Sequence, residues 1–354
     1  MRIAVFLAAV GSVLCGVALL NWWLDPFEER YDPAPLAAAL GQPKPCFVAW
    51  DAIGERAWPD LKLDLFRRRR ALTVVVGTSR SAKIESHPGE RRFANLLVPG
   101  TGPDTLGPLF RRLHADATGR LTVYVGVEAF WFGRAWRSRT SFTHSTLRDL
   151  KYLLSTETLH ASLDELRHAP GAIRHPRAVH PWAIYRGHGV CVVDRGNSVL
   201  AGATNAWKPD GSLWFQYEIV GGPKPRGGLI VDIYRPSYTG KRLSERRVRD
   251  LERALAAARR YRWRLVGFAP PLAASSLRRL RNDPTTSGQL ADFERRMPGI
   301  FARYGFAFLD LTDPASVPCG DDEFSFDDGG HPDAACGGRI RRLLDAAARE
   351  LTRG

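Results

Sequence analysis

The sequence predicts an α/β fold: a parallel central sheet covered by helices on both faces, preceded by one N-terminal transmembrane helix. Three observations carry this expectation. Short runs of apolar, largely β-branched residues recur along the chain, the composition of strands buried on both faces. Helix-like stretches stand between them, and strands alternating with helices build parallel sheets. Residues 3–20, IAVFLAAVGSVLCGVALL, carry no charge and are long enough for one bilayer crossing. With 354 residues, 44% hydrophobic and 25% charged, the chain has ample material for a large core and is excluded from the disordered class.

The apolar stretch comes first. Arg2 precedes it and Asp25, Glu28 and Glu29 follow, so the positive flank stays inside and the remaining chain is placed on the periplasmic, extracytoplasmic side of the cytoplasmic membrane. Trp22 and Trp23 fit the aromatic belt at the interface. A cleaved signal peptide is the competing reading. No small-x-small cleavage site stands at the right place, and Cys15 follows Leu14 rather than the small residue of a lipoprotein site, which favours an uncleaved anchor over residues 1–24.

Residues 25–70 hold Pro26, Pro33, Pro35, Pro43, Pro45 and Pro59, which suggests a stalk that leaves the membrane and wraps the domain edge. The core domain, 71–354, begins with a strand-like run at 72–76, followed by others at 93–98, 121–127, 228–233, 264–269 and 306–311. Helical patterns include 105–115 and 243–261. The second opens on Ser244 as N-cap and sets Val248, Leu251, Leu255 and Ala256 on one face.

Residues 135–227 break the alternation and are expected as an insertion walling the carboxyl edge of the sheet. Within them WKPDGSLWFQYEI (207–219) reads as strand, Pro-Asp-Gly turn, strand. Trp207, Trp214 and Tyr217 have the chemistry to stack on a sugar ring, but such residues are more often core. The region also holds His144, His160, His168, His175 and His180, spaced without any paired ligand pattern, so neither a metal nor another cofactor is expected.

The net charge of +14 comes from 51 Lys and Arg against 37 Asp and Glu. It is concentrated in short bursts at 67–70, 246–249 and 278–281 rather than one tail. No nucleic-acid motif accompanies them, which points to a membrane surface as the partner and away from nucleic acid. Of five cysteines, Cys15 lies in the apolar stretch. Cys46, Cys191, Cys319 and Cys336 remain, an even number that in an exported domain allows three pairings. Cys319 with Cys336 would bracket residues 327–331, leaving Cys46 with Cys191 to tie the stalk to the insertion; four reduced, buried thiols are the reading if the domain is not exported.

The chemistry concentrates at two sites. LTVVVGTSRS (72–81) is a buried strand broken by Gly77 and Thr78, with Ser79 where a helix would begin. A hydroxyl there stands above the carboxyl edge of the sheet, beside backbone N–H groups suited to an oxyanion. On its own, Ser79 is better explained as an N-cap. Near the other end, FSFDDGGHPDAACGGRIRRLLDAAAREL places Asp328 and His331 three residues apart before an amphipathic helix. A serine needs a base to take its proton, and the base needs a carboxylate to orient it.

Gly-x-Ser after an early strand and Asp-x-x-His before the last helix together resemble the SGNH (GDSL-like) hydrolase superfamily. The match covers roughly 70–130 and 260–345, and is nearest the membrane-anchored DltD-like and alginate-acetylation-like proteins of envelope O-acylation. The resemblance implies a flavodoxin-like three-layer sandwich. It also implies a catalytic set of Ser79, His331 and Asp328 and an oxyanion hole from the Ser79 backbone and a glycine of NLLVPGTGPDT, Gly100 being favoured over Gly102. The family's third block carries an Asn donor; the corresponding VYVGVEAFWFGR has Gly126 and Glu128 and no Asn. Arg80, Glu128 and Trp131, on these same segments, complete the candidates as substrate-binding residues.

Three functions follow. The first is serine acyl transfer to a cell-envelope polysaccharide, which the resemblance implies to be O-acetylation, with an acyl donor and a membrane-bound O-acyltransferase as partners. The second is a periplasmic carbohydrate esterase using the same residues. The third is a catalytically silent binding or assembly protein, the reading that Glu128 supports.

Overall fold

Alternation along a strand sends successive side chains to opposite faces, so two helix layers require two sets of apolar residues. The computed structural model describes residues 2–26, 33–41, 46–50, 55–138, 140, 142, 146–168, 170, 174, 182–187, 189–195, 205–222, 235–238, 240–317, 319, 326 and 330–353. The chain opens with α1 (Arg2–Leu24), α2 (Ala34–Leu40), β1 (Phe47–Ala49), α3 (Trp58–Arg69), β2 (Thr73–Val76), β3 (Phe93–Asn95), α4 (Pro103–Asp116) and β4 (Thr122–Gly126). The middle holds α5 (Thr146–Leu153), α6 (Thr156–His168), β5 (Trp182–Gly187), β6 (Val190–Arg195), β7 (Ala206–Trp207), β8 (Leu213–Trp214) and α7 (Gln216–Val220). The last third is α8 (Glu245–Arg260), β9 (Arg264–Ala269), α9 (Ala274–Asn282), α10 (Ser287–Arg303), β10 (Ala307–Asp310) and α11 (Ala334–Arg353).

Five strands form an all-parallel sheet in the order β3-β2-β4-β9-β10. Counted along the chain this is 2-1-3-4-5, the doubly wound order in which a crevice opens at the carboxyl ends beside the first strand. Val74, Val76, Val123, Val125 and Leu265 share one core with Leu109 of α4, Leu255 of α8 and Phe301 of α10. Val75, Tyr124, Val266 and Phe268 share the other with Ile340 and Leu344 of α11. The sheet is therefore the middle of three layers. Each fully buried Val or Leu contributes about 1.5–3 kcal/mol, and the register between neighbouring strands follows from keeping both sets covered. The run at 228–233, expected as a strand, lies outside the described residues.

The expected stalk is in part core. β1 is the central strand of a second, mixed sheet ordered β5-β6-β1-β7-β8, parallel to β6 and antiparallel to β7. Leu36, Leu40, Val48, Trp58 and Leu61 are buried with it. Prolines misled the sequence reading because Pro35 and Pro59 sit in the first turns of α2 and α3, where a missing N–H costs nothing. The second sheet thus joins 47–49 to the insertion, and a Cys46–Cys191 disulfide, with α-carbons 4.7 Å apart, links the start of β1 to β6. A second disulfide, Cys319–Cys336, brings α-carbons to 4.9 Å and closes a loop of 17 residues onto the first turn of α11. Such a loop closure stabilises by roughly 3 kcal/mol on the chain-entropy account.

The 207–219 hairpin is present as β7, a turn with Gly211 at φ 83°, and β8, but α7 replaces the rest of the second strand. Trp207 is core, stacked on Trp50 and lying under the Lys62 ammonium. Trp214 stacks on Phe47, and Tyr217 lies parallel to Phe215. Helix α1 is 23 residues long and apolar enough to cross a membrane, with its apolar stretch outside the protein core.

Two adjacent glycines of α11 give a paired test. A β-carbon on Gly337 would lie 2.1 Å from the Lys83 carbonyl oxygen, whereas on Gly338 the nearest group would be the flexible end of Arg342 at 3.9 Å. Gly337→Ala is expected to destabilise by about 1–3 kcal/mol through overpacking, and Gly338→Ala to be neutral or to stabilise by up to ~1 kcal/mol through helix propensity. Thermal unfolding of the two variants side by side checks the sign of each.

Candidate active site

The site is built where β2 ends. Gly77 is required there by close approach: a β-carbon would fall 2.6 Å from Ser81 Oγ and 3.3 Å from the Gly126 backbone of neighbouring β4. The chain then turns through Thr78, whose hydroxyl oxygen accepts from the Arg80 N–H, into a single 3₁₀ turn, Ser79–Ser81. Arg80 and Ser81 are buried, while Ser79 just before them stays partly open. Ser79 Oγ lies 2.8 Å from Nε2 of His331, a residue 252 positions away. With its proton on Nδ1, that imidazole accepts the hydroxyl's hydrogen bond and is placed to take its proton.

His331 is buried, and the Phe215 ring meets it edge-on with centroids 5.9 Å apart. Phe215 is itself held by α7: its N–H donates to Glu218 Oε2 at 2.8 Å, and the same carboxylate pairs with Lys83, whose ammonium sits 4.3 Å over the Phe215 ring. Asp328, the expected orienting carboxylate, and its neighbour Asp327 lie outside the described residues. Asp333 Oδ1 accepts from the Cys336 N–H at 2.8 Å in the first turn of α11.

The loop after β3 is drawn to the same edge. Thr101 donates its hydroxyl to the Gly77 carbonyl at 3.1 Å, and the Val98 N–H donates there too. Gly100 takes φ 76°, a left-handed conformation suited to glycine. Gly102 is the N-cap of α4, and its N–H is engaged by Thr105 Oγ1 at 3.1 Å. Among the described residues no protein group takes the N–H of Ser79 or of Gly100, so of the two candidate glycines Gly100 keeps a donor to offer.

Arg80, Glu128 and Trp131, substrate-binding candidates by sequence, are all interior. Trp131 is fully buried in the larger core. Glu128 is 1% exposed; one carboxylate oxygen accepts from the Thr78 hydroxyl at 2.7 Å and the other pairs with Arg80 Nη1. Arg80 also donates from Nε to the Gly330 carbonyl at 3.0 Å, and from Nη2 to those of Pro270 and Pro271 at 2.6 and 2.7 Å. One guanidinium therefore ties four segments together: the Ser79 turn, the end of β4, the loop after β9, and the residue preceding His331. Four of the five guanidinium donors are spent on the protein and the side chain is buried, which gives Arg80 a structural role at this edge. Sequence reasoning missed this clamp, and it missed Phe215, which stood in an expected strand and carried no chemical signal.

His160 and His168 are on the surface, and His144, His175 and His180 lie outside the described residues. Among the described residues no cluster of His, Cys, Asp and Glu is arranged to hold a metal ion. A wide cleft between α4 and α8, lined by Arg111, Arg253, Arg260, Tyr261 and Tyr304, contains neither Ser79 nor His331, so the site rests on hydrogen-bond geometry and not on concavity. No protein-family model matches the chain, and no curated protein matches it.

Removing Arg80 would strand Glu128 as a buried charge. Arg80→Met is expected to cost about 3–5 kcal/mol in urea unfolding, and Arg80→Met with Glu128→Gln substantially less, because a neutral amide needs no cation. A loss of under ~1 kcal/mol in the single variant, the size of an exposed pair, would show that the clamp does not hold.

Proposed function

We propose that this chain is a membrane-anchored serine acyl-transfer protein of SGNH type, whose domain acts outside the cytoplasm in O-acylation of a cell-envelope polysaccharide. The observation that carries the reading is the 2.8 Å contact between Ser79 Oγ and His331 Nε2, made across 252 residues of sequence. Thr78 and not Ser79 caps the turn that follows, so capping does not account for a buried imidazole at the Ser79 hydroxyl.

In the proposed reaction Ser79 Oγ attacks the ester carbonyl of the acyl donor while His331 takes its proton, with Asp328 orienting the ring. Negative charge collects on the carbonyl oxygen and is met by the N–H groups of Ser79 and Gly100. Collapse expels the donor alcohol, which recovers the proton from His331, and leaves an acyl ester on Ser79. A polymer hydroxyl then attacks that ester, His331 again accepting and returning the proton, and the free serine is restored. The anchor and the two disulfides support an oxidising, extracytoplasmic setting, where such polymers are found. The Glu128 charge, the feature that favoured a silent protein, is compensated by Arg80 and Thr78, so it does not oppose an oxyanion. A periplasmic esterase would use the same residues with water as acceptor.

A fluorophosphonate probe is expected to label wild-type protein on Ser79, and a chromogenic acetyl ester to be turned over. Ser79→Ala and His331→Ala should each abolish both signals, and Asp328→Asn should lower turnover by roughly 10⁴-fold through loss of the correct tautomer. Labelling with little hydrolysis, relieved by added polysaccharide, identifies the transferase. A folded wild type that does neither would return the balance to the silent reading.

A further inference from the structure

The last two turns of α1 are not free in the way the first four are. Val13, Leu14 and Leu19 stand exposed, but Val17 and Leu20 are half covered, and Asn21 and Leu24 are buried. This i, i+3, i+4, i+7 face is covered by the α5–α6 hairpin. The seam is specific. The Asn21 amide nitrogen donates to the Leu153 carbonyl at 2.8 Å, its oxygen accepts from Ser162 Oγ at 2.8 Å, and the Tyr152 hydroxyl donates to Asp25 Oδ1 at 2.7 Å. Asn21 is wholly buried and both ends of its amide are satisfied, so α1 is docked as a part of the fold.

The unbroken run of apolar and small residues ends at residue 20, where Asn21 follows. At about 1.5 Å per residue the docked face, 17–24, is about 10 Å tall, and the hairpin overlaps the apolar run by about one turn, ~5 Å. Whatever packs against that turn shares its depth. On the hairpin Leu150 and Leu163 stand 49% and 50% exposed, and beside it Trp22 and Trp23 are 43% and 48% exposed. Leu150 and Leu163, half exposed at the depth where a spanning helix leaves the hydrocarbon, match an interfacial helix, whose apolar face sits about 5–10 Å into the headgroup boundary.

We infer that the α5–α6 hairpin is a membrane foot: it lies in the headgroup region of the bilayer that α1 crosses, with Leu150 and Leu163 inserted. The inference rests on the reading of α1 as a transmembrane anchor. The occupant is lipid because the hairpin is docked on the end of α1 that, in an anchor, lies at the membrane boundary. A span alone leaves a domain free to swivel; a span with a foot fixes its tilt, and with it the direction in which Ser79 faces.

The test uses the full chain in phosphatidylcholine–phosphatidylglycerol nanodiscs with one nitroxide per sample. Cys15, the one unpaired cysteine, is the native label site in α1. Leu150→Cys, Leu163→Cys and, as a reference far from the hairpin, Arg259→Cys are each made in a Cys15→Ala background. Power saturation with oxygen and with a water-soluble nickel chelate reads depth. The expected result is nickel accessibility at 150 and 163 several-fold below that at 259, with oxygen accessibility retained, and position 15 deeper still. Position 15 in lipid with 150 and 163 as nickel-accessible as 259 overturns the foot and leaves the anchor standing. Sites 150 and 163 shielded from both reagents mean cover by protein, a second copy included, and also overturn it. Position 15 in water overturns the anchor, and the foot with it.

Discussion

The buried pair between Arg80 and Glu128 is the interaction on which the rest of the site depends. Removing two charges from water is costly, and the attraction between them restores that cost only when every remaining donor and acceptor is met. Here, among the described residues, all but one are met by the chain itself: three carbonyl oxygens from two loops take three of the other four guanidinium donors, and a threonine hydroxyl donates to the second carboxylate oxygen. The consequence is geometric. Segments that meet only at the carboxyl edge of the sheet are held at fixed spacing by one planar guanidinium. A hydrophobic contact would tolerate sliding between these loops, whereas a planar fork with directed donors does not.

Around this clamp the fold divides its labour. The parallel sheet delivers the ends of β2, β4 and β9 to one edge, as any doubly wound sheet does. Gly77 lets β2 and β4 approach closely enough for the Ser79 turn to close over them. The Cys319–Cys336 bridge fastens the His331 loop to the start of α11, and Gly337 lets that helix rest on the Lys83 backbone. The second sheet contributes through α7, which presents Phe215 to the imidazole. Stability and site geometry are thus served by the same contacts.

Much of this was legible in the sequence, for physical reasons. Strands buried on both faces leave continuous apolar runs, so 72–76, 121–127 and 264–269 were placed to within a residue or two of β2, β4 and β9. The Ser79–His331 pair was legible because it uses residue types whose chemistry demands a partner. The second sheet was not. Its strands are two to six residues long, its central member is only FVA, and a mixed sheet assembled from 47–49 and 182–214 has no periodicity that links the two stretches. Prolines in first helical turns imitated a stalk. Arg80 could be read as a ligand for substrate or as a clamp, and only the spatial meeting of Gly330, Pro270, Pro271 and Glu128 decides between them.

The central claim is that Ser79 is a nucleophile served by His331. The most direct measurement is to mix the protein with an activated acetyl ester, quench in acid, and map the peptides by mass. The account predicts one acetyl group on the peptide containing Ser79, formed to near one per protein before any steady state, and absent in Ser79→Ala and in His331→Ala. A folded wild type with no acetyl on Ser79, or one acetylated equally well without His331, would contradict it.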